Sequence, residues 1–153
     1  MRNFKRYIPI ILLIMHCVLI CFFSAQDKES STTVSQGIVE TVVEVTPNVE
    51  TLTKPQMNKA DFVVRKSAHI ALYFVLGVYA YLSAGCVKIK HKALIAVLFC
   101  LLFATFDELN QELLSGRAGE FTDVLLDFIS SCLGAFVTLL SIKKIKREKY
   151  EKF

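Results

Sequence analysis

Residues 67–86 read SAHIALYFVLGVYAYLSAGC, twenty positions without one Asp, Glu, Lys or Arg. A helix rises about 1.5 Å per residue and the hydrocarbon core of a bilayer is about 30 Å thick, so a run of this length and composition reads as a transmembrane span. Basic residues close it on both sides, Arg65 and Lys66 before it and Lys88, Lys90 and Lys92 after it.

Three further runs of the same kind lie around it: Ile8 to Ala25, Ala93 to Leu109, and Phe121 to Ile142. The 153 residues have room for one domain. An apolar fraction of 54% beside 21% charged residues, with a mean hydropathy of +0.48, requires the charges to be segregated from the apolar runs. The expected fold class is all-α, a polytopic membrane helical bundle of four transmembrane helices with an outer amphipathic segment. Along the chain this gives a tail and first span (1–25), an extracytoplasmic segment (26–61), a three-span membrane core (62–142) and a basic tail (143–153).

Cys17, Cys21, Cys86, Cys100 and Cys132 all fall within or at the edges of the apolar runs, without metal-ligand or redox spacing, and read as packing residues. The first span has the basic start of a signal peptide. However, Phe22 and Phe23 stand where a cleavage site needs small residues, and Ile20 precedes Cys21 where a lipoprotein signal needs one. An uncleaved anchor is expected.

Lys and Arg are retained on the cytoplasmic side during insertion. Arg2, Lys5 and Arg6, then Lys88, Lys90 and Lys92, then six more after Ser141 put twelve of eighteen basic residues on one side, with only Glu148 and Glu151 as acids there. The opposite side holds twelve acids and six bases. The count predicts a multi-pass protein of the cell membrane with both termini cytoplasmic. The tail Lys143 to Lys149 reads as an anchor against anionic lipid, and no nucleic-acid partner is expected.

Gln26 to Lys66 is too polar to span and opens with the solvated stretch Asp27 to Thr33. Within it Val34, Ile38, Val39, Val42, Val43 and Val45 recur mostly at helical spacing, which suits a helix along the membrane surface, although the β-branched content also suits a strand.

Charged groups at membrane depth are costly and usually face the bundle interior. On the second span Lys66, His69 and Tyr73 share one helical stripe with Arg65 beside it. At the end of the third, Asp107 and Gln111 are one turn apart, as are Glu108 and Glu112. Gly116 and Gly119 then turn the chain and present Arg117, and the fourth span opens with Asp123 and Asp127 one turn apart, followed by Ser130 and Ser131. Topology brings these helix ends to one side. Two readings compete there. In one, Arg65, Lys66 and Arg117 neutralise Asp107, Asp123 and Asp127 and fix helix register. In the other the cluster is a site, with the cations, Tyr73 and Gln111 binding a ligand and His69, Asp107, Glu108, Asp123 and Asp127 as candidate acid–base groups; the histidine's ordinary pKa near ~6.5 suits proton transfer. No loop has the ligand spacing of a dedicated Mg²⁺ or Ca²⁺ site, and neither a metal nor a cofactor is assigned.

The pieces Arg65-Lys66-x-Ala68-His69-x-x-x-Tyr73, Asp107-Glu108-x-x-Gln111, and Gly116-Arg117 followed by Asp123-Val124-x-x-Asp127 resemble the VanZ-like membrane proteins, named for a teicoplanin-resistance protein of Gram-positive bacteria. The resemblance covers roughly Phe62 to Leu140 and departs at Ser130, where the family usually has glycine. It implies a role at the cell surface: lowered susceptibility to teicoplanin-type glycopeptides, or a general cell-envelope function on lipid-linked precursors, peptidoglycan or surface polymers. The expected partners are the lipid bilayer and a cell-wall precursor or glycopeptide, with the oligomeric state open. The competing class is a non-enzymatic membrane scaffold whose polar cluster is structural. A transporter ranks below both, since polar residues are scarce in the inner half.

Overall fold

Pro9 and Pro55 each fall in the first turn of a helix, where a missing backbone N–H leaves no bond unmade. A computed structural model describes residues 4–26, 28–46, 52–87, 90–115 and 120–151. After a 3-10 turn at Phe4–Tyr7 come α1 (Ile8–Ser24), α2 (Lys28–Val45), α3 (Lys54–Cys86), α4 (Lys92–Ser115) and α5 (Phe121–Tyr150). Four of the helices are long and apolar enough to cross a membrane, all but α2. Large apolar side chains such as Leu102, Phe136 and Val18 face outward on them, as lipid-facing residues do.

The helices overrun the expected spans. The second apolar run lies within a longer helix that starts at Lys54, whose 33 residues make it about 50 Å long. The Thr53 backbone N–H donates to Gln56 Oε1 at 2.9 Å and caps its start. The fourth span runs past Ile142 to Tyr150, carrying Lys144–Glu148 and Arg147–Glu151 pairs one turn apart on its exposed end. α2 is helical from Lys28, including most of the solvated polar stretch, and of the two readings of its valine-rich part the helix is the one formed. It packs on the first turns of α3, where the Ser35 hydroxyl donates to Asp61.

α3 is the hub and touches every other helix, α5 most extensively. The reason is close approach. A Cβ on Gly77 would run into the Ser131 backbone, and one on Gly134 into the Phe74 backbone. Small residues let two membrane helices meet backbone to backbone. The point of contact is therefore Gly77 and Gly134; Ser130, where glycine was expected, is buried with its hydroxyl bonded to the Leu126 carbonyl at 2.8 Å. Around this seam Tyr73, Leu76, Ala80, Ala96, Cys100 and Ala104 form the core, with Ile20 contributed by α1.

The two ends of the bundle differ. At one, Arg6 donates through Nε and Nη2 to the Cys86 carbonyl and so caps α3, and the Lys92 ammonium lies 5.4 Å from the Tyr81 ring centroid. At the other the carboxylates gather.

Candidate functional site

One helical turn of α3 organises the carboxylate end. His69 and Tyr73 are four residues apart, so they sit one above the other on the same face, and their rings stack at 6.4 Å with 6° between planes. Each addresses a different buried aspartate. Tyr73 is fully buried and its hydroxyl donates to Asp107 Oδ2 at 2.9 Å. His69 Nδ1 lies 3.3 Å from Asp127 Oδ2.

Asp107, 0% exposed, is held among the described residues by neutral donors: Ser24 Oγ from α1 at 2.8 Å, Tyr73 from α3, and Gln111 Nε2 from one turn on in α4 at 3.2 Å. Of the expected cations, Arg65 and Lys66 pair elsewhere and Arg117 lies outside the described residues. Three neutral bonds to one oxygen solvate the group in place of water, which a polar atom in a buried setting requires. Asp127, 2% exposed, has His69 as its side-chain partner, and its own carbonyl accepts from Ser131 Oγ at 2.8 Å. The second oxygen of each carboxylate, Oδ1, is buried without a partner among the described residues.

The cations stand further out and are already engaged. Lys66 pairs with Asp123 and lies 5.4 Å from the Phe62 ring centroid. Arg65 pairs at 3.0 Å with Asp61, an aspartate one turn before it that also accepts from Ser35. Glu108 Oε1 accepts the Glu120 backbone N–H at 2.7 Å and so ties the end of α4 to the start of α5. Nine of the ten site residues expected from sequence thus occupy one end of the bundle, linked as Lys66–Asp123, His69–Asp127 and Tyr73–Asp107–Gln111 with Arg65 and Glu108 beside them; Arg117 lies outside the described residues.

Sequence reasoning missed Ser24, Ser35 and Asp61. The Asp61–Arg65 spacing was a usable signal, whereas a lone serine at the end of a span gives none. It also missed His16, whose Nε2 is 2.8 Å from the Leu72 carbonyl and whose ring meets Tyr79 edge to face. Among the described residues no group of three or more His, Cys, Asp or Glu is placed to hold a metal ion.

In the tautomer whose Nδ1 donates to Asp127, the ring nitrogen Nε2 of His69 carries the lone pair, and it makes no hydrogen bond among the described residues. Further inward the hydroxyls of Ser130, Ser131, Thr138 and Ser141 each bond the carbonyl four residues back, so this track is satisfied within its own helix.

Four membrane-length helices with a polar cluster at one end define a multi-pass membrane protein. The family described as VanZ/LLP1 matches residues 9–142, and the chain belongs to that family. The match is wider than the motif-bearing stretch from Phe62 and takes in α1, whose Ser24 completes the Asp107 network. No curated protein and no solved structure matches the chain.

Proposed function

We propose that this VanZ-family protein works at the outer face of the cytoplasmic membrane, where it binds or modifies a cell-envelope component and thereby acts in teicoplanin-type glycopeptide resistance or envelope maintenance. The observation that carries the reading is the His69–Asp127 pair, with Nε2 of the imidazole unengaged among the described residues, since a buried carboxylate behind a partly exposed histidine orients the ring and balances the charge it gains on taking a proton. Lys66, Arg65 and Gln111 are the candidate binding residues around it, Arg117 is a further candidate from the sequence alone, and Asp107 with Tyr73 fixes the floor on which His69 stacks. The basic residues crowded at the opposite end support an orientation with both termini in the cytoplasm.

The test is susceptibility of strains carrying His69→Ala or Asp127→Asn to teicoplanin and vancomycin, with the amount of protein in the membrane measured alongside. Loss of the phenotype at normal abundance is expected; full activity in both variants refutes the site. Cysteine labelling at Asn110 and Glu120 checks the orientation, and labelling from the cytoplasm overturns it.

A second reading, a scaffold that binds another protein, is favoured by the apolar groove of about 450 Å³ between α2 and α3, lined by Val39, Val42, Val43, Ala60 and Val63 among others. On that reading Val42→Glu, at an exposed position, abolishes function while His69→Ala acts only through abundance.

A further inference from the structure

The cations Arg65, Lys66 and Arg117, read from sequence as ligand-binding residues, would suit an anionic group. We infer instead that the carboxylate end receives a cationic group, an ammonium, set against His69. The inference rests on the site reading above and adds the charge of its ligand.

Two observations carry it. Among the described residues, the cations beside the cluster are consumed: Arg65 is paired with Asp61 and Lys66 with Asp123, so neither presents a free charge to an incoming anion. Meanwhile, Asp107 and Asp127 are buried, each with an oxygen that no described donor reaches, and covalent geometry holds that oxygen beside the Oδ2 already inside the network. Glu112 and Glu120 add exposed carboxylates without a cation partner among the described residues. With Arg117 included, this side of the protein still has twelve acids against six bases. Such a field repels phosphates and carboxylates and concentrates cations at the surface.

The position follows from exposure. The His69 side chain is 25% exposed and covers a 3% exposed Asp127, so it is the group through which the buried charge is felt from outside. An ammonium set against Nε2 donates a hydrogen bond to its lone pair while the two aspartates behind stabilise its charge. An anion there would meet the lone pair and the same two aspartates, and both repel it. The chemistry does not depend on whether the ammonium belongs to a soluble molecule or to a lipid headgroup.

The full-length protein in phosphatidylglycerol nanodiscs is titrated with ethanolamine, with inorganic phosphate, and with potassium chloride at matched ionic strength, and the unfolding midpoint is followed. A second set of discs contains phosphatidylethanolamine. Ethanolamine is expected to raise the midpoint saturably where potassium chloride does not, and Glu112→Gln, at an exposed position that should leave the fold intact, is expected to weaken it about two- to fivefold. If phosphatidylethanolamine discs occlude the response to added ethanolamine, the ammonium comes from the bilayer; if they do not, it is soluble. Saturable stabilisation by phosphate that Lys66→Ala removes overturns the inference, and so does no response to either probe. Those results leave the functional reading intact if His69→Ala still loses the phenotype; conversely, ethanolamine binding with an unaffected phenotype overturns only that reading.

Discussion

Asp107 and Asp127 are both buried aspartates on neighbouring membrane helices, yet they are built differently. Asp107 is reached by side chains of α1, α3 and its own helix, all neutral, through bonds of 2.8 to 3.2 Å. Asp127 has one side-chain partner among the described residues, a histidine at 3.3 Å that is partly exposed. A group held from three directions by uncharged donors fixes a structure. A group held by one titratable ring can change state without dismantling anything else. The first reads as the keystone of the bundle and the second as its working part.

Breaking the keystone should have the largest effect. Asp107→Ala leaves the donors of Ser24, Tyr73 and Gln111 facing a void, and a loss of about 3 kcal/mol or more is expected, measured as lost membrane abundance and a lowered unfolding midpoint. Gly134→Val tests whether packing matters as much as the network. The added side chain collides with the Phe74 backbone, costing roughly 1–3 kcal/mol, whereas Gly85→Ala, with open space around it, should be silent in the same assay. Ser24→Ala removes one of the three donors and should cost about 1 kcal/mol, leaving Asp107 with two. Asp127→Asn keeps the shape and should change stability least of the aspartate variants while losing function. If the function is a chemical step, the rate should fall about 10²- to 10⁴-fold. If Asp127→Asn instead destabilises as much as Asp107→Ala, the contrast between the two residues is wrong.

The four spans were legible because a run of about twenty apolar residues has few other uses. The outer turns of α3 were not, since a polar helix leaves no mark in hydropathy; their signals were the cap formed by Thr53 and Gln56 and the Asp61–Arg65 spacing. Within the site, helical spacing put Lys66, His69 and Tyr73 on one stripe, and each of them does meet an aspartate. The assignment of partners could not be read, because it depends on the register of α3 against α4 and α5. That register is set in part where Gly77 and Gly134 let two backbones touch, and it delivers Lys66 to Asp123 and Tyr73 to Asp107. Nor could the sequence show that, among the described residues, Asp107 is met by three uncharged donors from three helices, Ser24 among them.

The polar contacts of α1 impose an order on biosynthesis. Arg6, His16 and Ser24 find their partners 80, 56 and 83 residues later in the chain. A ribosome adding ~5 to 20 residues per second needs roughly 4 to 17 s to make 83 of them. For that interval the first helix resides in the bilayer or the insertion channel with Ser24 unmatched, the Leu72 partner of His16 being made earlier, and only the arrival of α4 gives Ser24 its aspartate. A nascent chain stalled before Asp107 would therefore present quality-control proteases with a loosely held first helix.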